Sequence, residues 1–497
     1  MAVVLAIDAG TTSVRTIAVN EGGAVVDSAQ QEFTQHFPRP GLVEHDAVEI
    51  WEAVAGTLAE VRGRLDEAGT SIAAVGITNQ RETIVAWSAD TGLPIQRAIV
   101  WQDRRTTSRC EALQDQGHLG MVRQTTGLVL DPYFSASKIE WLLTDGEADA
   151  DASLRLGTID SWLLWNLTGG RVHATEPSNA SRTMLLDLAT AAWSEEMCSL
   201  FGVPVSSLPE VRPSSGRFGM TCDGGPLQPG TPVSGIAGDQ QAALFGQACF
   251  EAGEAKNTYG TGSFLLANMG SELPDPVDGL LTTVAWTLAD GGPVTYALEG
   301  SIFATGASIQ WLRDGLGIID SAAEVGSLAA SVDDAGGVYL VPAFAGLGSP
   351  WWDPRARGTI VGLTRGSGRA HLARAAVEAM AFQTRDVIEA AGRGGGPAIT
   401  GLRVDGGASV MDLLLEFQAD LLDIPVTRSS VQETTALGAA WLAGLGEGVW
   451  SSTGELADLW QEDTTFPPSV GNRRAVEEAY GRWLVAIERS LTWEQAG

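Results

Sequence analysis

The chain has 497 residues, 44% hydrophobic and 19% charged, a globular composition long enough for two large domains or three ordinary ones, which excludes a disordered chain. Its formal net charge of −30 and pI near 4.4 oppose nonspecific binding to nucleic acid or to anionic membranes. Cys110, Cys198, Cys222 and Cys249 are far apart and form no C-x-x-C pair, and the five histidines are scattered, so neither a disulfide framework nor a structural zinc site is readable.

Met1 leads directly into a strand pattern, with no basic or apolar leader, and the most apolar long stretch, residues 337–352, is broken by Gly and Pro before it reaches the length of a membrane span. A cytoplasmic protein is expected. Short strands are predicted at 3–7, 14–19 and 24–29, then an amphipathic helix over 48–68 and a buried strand at 72–77. Three strands, a helix and another strand open a mixed α/β domain. The order returns in the second half, with a hairpin around 259–267, a strand at 294–298, a helix over 304–316 and a strand at 337–341. A helical run at 239–246 gives way near 246–253, dividing the chain into an N-terminal domain, 1–248, and a C-terminal domain, 249–497.

Both halves open on a Gly-Thr-rich turn. In Asp8-Ala-Gly-Thr-Thr-Ser13, Gly10 lets backbone approach a ligand, Thr11, Thr12 and Ser13 offer donors to phosphate oxygens, and Asp8 could hold a hydrated Mg²⁺. Asn257-Thr-Tyr-Gly-Thr-Gly-Ser263 repeats the pattern. An ordinary hairpin loop explains either segment alone; two of them suggest halves that clamp one nucleotide. Val404-Asp-Gly-Gly407 ends a strand before a helix start, a shape that admits adenosine.

Asp239 follows Gly235-Ile-Ala-Gly238 and starts a helix, so it is either an N-cap or a general base for a substrate hydroxyl in an interdomain cleft. Arg81 and Glu82, just after a buried strand, suit a polyol, since Glu accepts from hydroxyls and Arg donates to them; a surface ion pair is the alternative. Trp101 and Tyr133 add aromatics beside charges that could cover the carbon face of a small polyol.

Together these segments resemble the glycerol kinases, carbohydrate kinases within the actin-like ATPase class. The match runs through Asn79-Gln-Arg-Glu-Thr83, Trp101-Gln-Asp-Arg-Arg105, Asp131-Pro-Tyr-Phe134, Asn179-Ala-Ser-Arg-Thr-Met184, Gly238-Asp-Gln-Gln241, Lys256-Asn-Thr-Tyr-Gly-Thr-Gly262 and Leu402-Arg-Val-Asp-Gly-Gly407, and spans essentially the whole chain. The resemblance implies two ribonuclease-H-like domains closing on MgATP and glycerol, with sn-glycerol 3-phosphate as product and a homodimer or homotetramer as the assembly. It implies that Arg81, Glu82, Tyr133, Asp239 and Gln240 hold the glycerol hydroxyls, that Phe264 covers the carbons, and that Asp239 is the base. It places Thr11, Thr12, Ser13, Arg15 and Thr261 at the phosphates, Gly306, Gln310, Gly407 and Met411 at the nucleotide, and Asp8 at Mg²⁺.

Three positions depart from the pattern: Ala9 stands where Gln is common, Asp103 where Cys is, and Met411 where an Asn often meets the nucleotide. The segment Cys222-Asp-Gly-Gly-Pro-Leu-Gln-Pro-Gly230, which in some bacterial members binds an inhibitory sugar bisphosphate, carries an acid and no base, so that regulation is expected to be absent or weak. A pentulose kinase and a non-catalytic actin-like ATPase are the competing functions.

Overall fold

The computed structural model of the chain describes residues 2–289, 291–469 and 471–494. Two sheets dominate it. The first contains β1 (Ala2–Ala9), β2 (Ser13–Asn20), β3 (Val25–Glu32), β4 (Ser71–Asn79), β5 (Ser215–Met220) and β6 (Pro232–Gly238) in the order β3-β2-β1-β4-β6-β5. The second contains β7 (Glu254–Tyr259), β8 (Ser263–Gly270), β9 (Leu281–Trp286), β10 (Thr295–Ile302), β11 (Gly401–Gly406), β12 (Val426–Ser429) and β13 (Glu462–Phe466) in the order β9-β10-β8-β7-β11-β12-β13.

Leaving out the edge strand β9, the sheets have the same sense of pairing. Three antiparallel strands (β3-β2-β1; β10-β8-β7) adjoin two parallel ones (β4-β6; β11-β12), and an antiparallel strand closes the edge (β5; β13). The repeat expected from the paired Gly-Thr turns is therefore a repeat of architecture. The turns join β1 to β2 and β7 to β8, at matching places in the two sheets.

Local chemistry accounts for the elements. β1 is buried along nearly its whole length because it lies between β2 and β4, which explains its unbroken apolar run. Helix α1 (Ala47–Glu67) begins where the Asp46 carboxylate accepts the Val48 N–H at 2.8 Å, and it buries Ile50, Val54, Leu58, Val61 and Leu65 along one stripe. A small five-stranded sheet, formed from residues between 35 and 158, and helix α2 (Ser135–Thr144) are built onto the first half beside the ends of β1 and β4.

The predicted boundary falls between the sheets, after helix α3 (Asp239–Gly246) and before β7. The chain nevertheless crosses back. Helix α4 (Thr434–Gly446), from the second half, packs on the first sheet and on α3, its Leu437 and Trp441 sharing a core with Val4, Ala6, Ala74 and Ala237. Glycines make the approach possible: a Cβ on Gly438 would lie 1.9 Å from the Ala242 carbonyl oxygen, and one on Gly76 would lie 2.1 Å from that of Ala439. The helix predicted over 304–316 is instead a short α segment, Gly306–Gln310, followed by a π turn, Trp311–Gly315.

Candidate active site

β4 carries its chain directly into Gln80-Arg81-Glu82. The turn is tied to the first Gly-Thr loop, because the Gln80 backbone N–H donates to Ala9 O at 2.8 Å and its side-chain amide donates to Gly10 O at 3.0 Å. Glu82 has φ 61°, a conformation that strains a residue with a Cβ and that the surrounding contacts must hold.

Arg81 is buried, and nearly all of its donors are engaged. Its Nε lies 3.0 Å from Asp239 Oδ1; Nη1 donates to Glu299 Oε2 at 2.5 Å and to Gln241 Oε1 at 3.2 Å, and Nη2 donates to Glu299 Oε1 at 3.2 Å. Of the five N–H groups of the guanidinium, three make hydrogen bonds, while Nε–H, paired in charge with Asp239, and one N–H on Nη2 make none among the described residues. Arg182, fully buried, donates from Nε to Glu82 Oε1 at 2.7 Å and from Nη2 to Glu299 Oε1 at 3.0 Å. Among the described residues no hydrogen bond reaches Glu82 Oε2 or Asp239 Oδ2, since the ion pair with Arg81 and the hydrogen bond from the Gln240 N–H at 2.7 Å both use Asp239 Oδ1. Each carboxylate thus has one oxygen anchored and one available as an acceptor.

Asp239 is the first residue of α3, and Gly238 takes the N-cap position, so the N-cap reading of Asp239 is corrected. Behind it the Gly238 N–H donates to Ser178 Oγ at 2.9 Å, and that hydroxyl donates to Glu176 at 2.5 Å, which fixes the residue preceding Asp239. Burial raises the Asp239 carboxyl above its ordinary range against the pull of Arg81 and Lys256. Burial likewise raises Glu82, opposed by Arg81 and Arg182. Burial alone would raise Glu299 too, but Arg182 and Arg81 outweigh it and hold this group at about 2.

Tyr133 is set by the loop before α2. Its N–H donates to Asp131 Oδ1 at 2.7 Å, and the buried Lys138 ammonium beneath donates to the carbonyls of Tyr133 at 2.9 Å and Phe134 at 3.3 Å. The Arg182 guanidinium lies 5.7 Å from the Tyr133 ring centre, and Trp101 meets that ring edge-on at 5.4 Å while donating to Thr11 Oγ1 at 3.0 Å. Trp101 thereby connects the aromatic wall to the first phosphate-type loop. Gln240 accepts from the Lys256 ammonium at 2.5 Å, and Phe264 lies half-buried on β8.

At the first loop, Gly10 N–H donates to Ser13 O at 3.0 Å and closes the turn around Thr11 and Thr12. Ser13 Oγ accepts from Gln30 at 3.0 Å, and Arg15 donates to Gln30 at 2.7 Å and pairs with Glu433. No hydrogen bond to the Asp8 side chain occurs among the described residues; burial, and next the charge of Asp239, push its carboxyl up to about 7, with Arg15 opposing. A partly buried Asp8 carboxylate that accepts no hydrogen bond, with the charge of Asp239 near it, suits a divalent cation. No group of three or more His, Cys, Asp or Glu among the described residues is placed to hold a metal, so the ion would keep waters and phosphate oxygens as its other ligands, as Mg²⁺ does.

In the second half, Thr261 O accepts from the N–H groups of Thr305 at 2.9 Å and Ala307 at 3.0 Å, which brings Gly306 against the second loop. A Cβ on Gly306 would lie 2.7 Å from Gly260 O. Gln310 is exposed four residues on, and Gly407 is exposed in the turn after β11. Met411 is turned inward among core side chains, with Gly326 beside it, so it offers apolar surface where the resemblance leads to an amide. The structure thus brings Arg81, Glu82, Tyr133, Asp239 and Gln240 into one cluster with Asp8 near it, and sets Thr261 beside Gly306, whereas no contact joins Gln310, Gly407 or Met411 to that cluster.

Residues 3–246 match the N-terminal domain of the FGGY family of carbohydrate kinases, and residues 255–447 match its C-terminal domain. The chain belongs to the FGGY family of carbohydrate kinases. Among relatives of this FGGY chain is a glycerol kinase of Dechloromonas aromatica, 53% identical over 99% of this chain and 98% of that protein. Glycerol kinase 2 of Thermotoga maritima is 51% identical over the full length of both. Among solved structures, Plasmodium falciparum glycerol kinase with ADP superposes with a TM-score of 0.93 at 34% identity, covering 99% of this chain and 98% of that one. A xylulose kinase from Lactobacillus acidophilus, at 19% identity and TM-score 0.88 over 98% of this chain and 97% of that one, shares the fold alone.

Three FGGY-site residues escape a motif search. Glu299, Lys256 and Arg182 complete the charge cluster, with Arg182 and Lys256 lying inside segments that resemble the family yet carry no expected role. Their signal was chemical. Glu299 is a lone carboxylate in the buried apolar strand β10, and Lys256 is one of two lysines in the chain; a buried charge needs a partner, and a search for mutual partners would have paired them with Arg81 and Asp239.

Proposed function

We propose that this chain transfers the γ-phosphoryl group of ATP to glycerol, releasing sn-glycerol 3-phosphate, ADP and a proton. The observation that carries the reading is the pair of open acceptor oxygens, Glu82 Oε2 and Asp239 Oδ2, beside the Arg81 guanidinium, in a chain about half identical along its length to glycerol kinases. Acceptors and donors on one small cluster suit a short polyol, and the Trp101–Tyr133 wall with Phe264 accommodates its carbons.

In this reading Asp239 Oδ2 accepts the proton of the attacking hydroxyl as the bond to phosphorus forms, while Oδ1 stays fixed by Arg81 and Gln240. Glu82 accepts from a second hydroxyl, and Arg81, Tyr133 and Gln240 orient the rest. Thr11, Thr12, Ser13, Arg15 and Thr261 donate to the phosphates, with Gly306, Gln310, Gly407 and Met411 around the nucleoside. Asp8, with Asp239 beside it, would hold Mg²⁺, which supplies neutralisation of phosphate charge. The functional division follows the sheets: residues 1–248 bind the acceptor and carry the first loop, and 249–497 carry the second loop and the adenosine site.

No helix among the described residues is long and apolar enough to cross a membrane, in keeping with a cytoplasmic enzyme. Release of ADP measured with glycerol, with xylulose and with no acceptor tests the proposal. Glycerol-dependent release is expected. Full-rate hydrolysis without acceptor would make the chain an ATPase, and preference for xylulose would make it a pentulose kinase.

A further inference from the structure

Glu299 lies on β10 of the second sheet, whereas its two partners belong to the first half of the chain: Arg81 after β4 and Arg182 after the short helix Pro177–Ala180. Its two oxygens engage both terminal nitrogens of Arg81, at 2.5 and 3.2 Å, and Oε1 also accepts from Arg182 at 3.0 Å. Those arginines in turn anchor the two carboxylates with open oxygens, Arg81 through Asp239 Oδ1 and Arg182 through Glu82 Oε1. One glutamate of the C-terminal half therefore stands behind both acceptors of the N-terminal half.

We propose that Glu299 is the positioning residue through which the C-terminal half orients the glycerol-binding groups of the N-terminal half, fixing the plane of Arg81 and the reach of Glu82 and Asp239. The inference rests on the proposed glycerol kinase activity. Its physical basis is geometric restriction: a guanidinium held at both ends by one carboxylate cannot swing, so its remaining N–H groups keep fixed directions. Without Glu299 the two arginines, both buried, would repel each other and swing toward Glu82 and Asp239, closing over the oxygens that the substrate needs. The ionisable groups that face Glu299 are Arg81, Arg182, Lys256, Glu82, Asp239 and Tyr133.

The test compares Glu299→Gln, Glu299→Asp and the unaltered chain. For Glu299→Gln the KM for glycerol is expected to rise about tenfold or more, the KM for ATP to change less than about twofold, and kcat to fall less than the glycerol KM rises. Glu299→Asp keeps the charge and should recover part of the loss. Removing the charge also lets the arginines favour ionised Glu82 more strongly, so the acid limb of kcat/KM for glycerol should move to lower pH, a change that loose packing alone would not produce. An unchanged glycerol KM, or equal losses toward both substrates with an unmoved acid limb, would overturn the assignment. If Glu299→Gln does not fold, Glu299→Asp decides alone: a glycerol KM raised about threefold with the ATP KM unmoved supports the role, and unaltered constants refute it. Failure of the unaltered chain to phosphorylate glycerol would overturn the proposed activity instead.

Discussion

Replacing Asp239 by Asn separates its catalytic task from its structural one. Oδ1 holds the fixed contacts, to Arg81 Nε at 3.0 Å and to the Gln240 N–H at 2.7 Å, and an Asn carbonyl can accept both. The loss falls on Oδ2, which becomes an NH₂ group that cannot take a proton. If Oδ2 is the base, kcat should fall by about 10²–10⁴, a barrier increase of about 3–5 kcal/mol. The three cations Arg81, Arg182 and Lys256 are balanced by Glu82, Asp239 and Glu299, so the variant carries one excess positive charge, too little to unfold a pocket in which Glu299 still pairs with Arg81. ADP release at saturating glycerol and MgATP gives kcat, and calorimetric titration of glycerol gives binding. A titration of Mg²⁺ completes the set: Asp239 helps raise Asp8 to about 7, so removing its charge should lower the Asp8 carboxyl and leave it ionised, able to hold the ion, at pH 7. A kcat within about threefold of the unaltered chain would refute the base, and a loss restored entirely by excess Mg²⁺ would assign Asp239 to the metal rather than to the proton.

Glu82→Gln exchanges an ionised acceptor for an amide while Arg182 keeps a carbonyl partner, so the glycerol KM should rise about tenfold with kcat largely retained; an unchanged KM removes Glu82 from the pocket. Gly438→Ala would set its Cβ 1.9 Å from the backbone oxygen of Ala242 and 2.7 Å from its carbonyl carbon, atoms that cannot turn aside, and should cost about 3 kcal/mol or more, read as a lower Tm with α4 displaced from α3; an unaltered Tm would show that the two helices separate without penalty. Glu176 is buried and its carboxyl pushed up from 4.5 to about 7, so its ionisation opposes folding fully above pH 7 and the penalty fades as pH falls to 4.5. Relative to the unaltered chain, Glu176→Gln should therefore gain stability as pH rises from 4.5 to 7, by about 3 kcal/mol in all, and parallel stability curves would contradict the assignment of that proton.

The parts of the site legible in the sequence are those whose meaning is local. Gly10-Thr-Thr and Gly260-Thr-Gly read as turns because apolar runs flank them, and β1 to β2 and β7 to β8 form those hairpins. Arg81 and Glu82 stood out as a charge pair after a buried strand. Contacts between distant segments left no such trace. Helix α4 is apolar on every side, so periodicity gives no hint of which sheet it covers, and the use of Gly438 appears only when Ala242 lies against it. For Asp239 the sequence leaves the N-cap and the general base both open for a similar reason, since an acid at a helix start can serve as N-cap or as first residue, and the direction of its free oxygen depends on Arg81, 158 positions earlier.

The division of labour in the cleft follows from which groups are shared and which are spent. Backbone-rich turns such as Gly10–Ser13 and Gly260–Gly262 approach any phosphate, and the xylulose kinase with the same fold shows that the scaffold does not dictate an acceptor. Discrimination requires polar groups with a fixed number of free donors and acceptors, because a buried group left unpaired is costly. Arg81 makes three hydrogen bonds from its five N–H groups and pairs with Asp239 through Nε; Glu82 and Asp239 have two oxygens each and one of each is engaged. The ion cluster around Glu299 therefore does more than neutralise charge. By engaging donors and acceptors of Arg81, Glu82 and Asp239 it limits the directions in which those groups can meet a ligand.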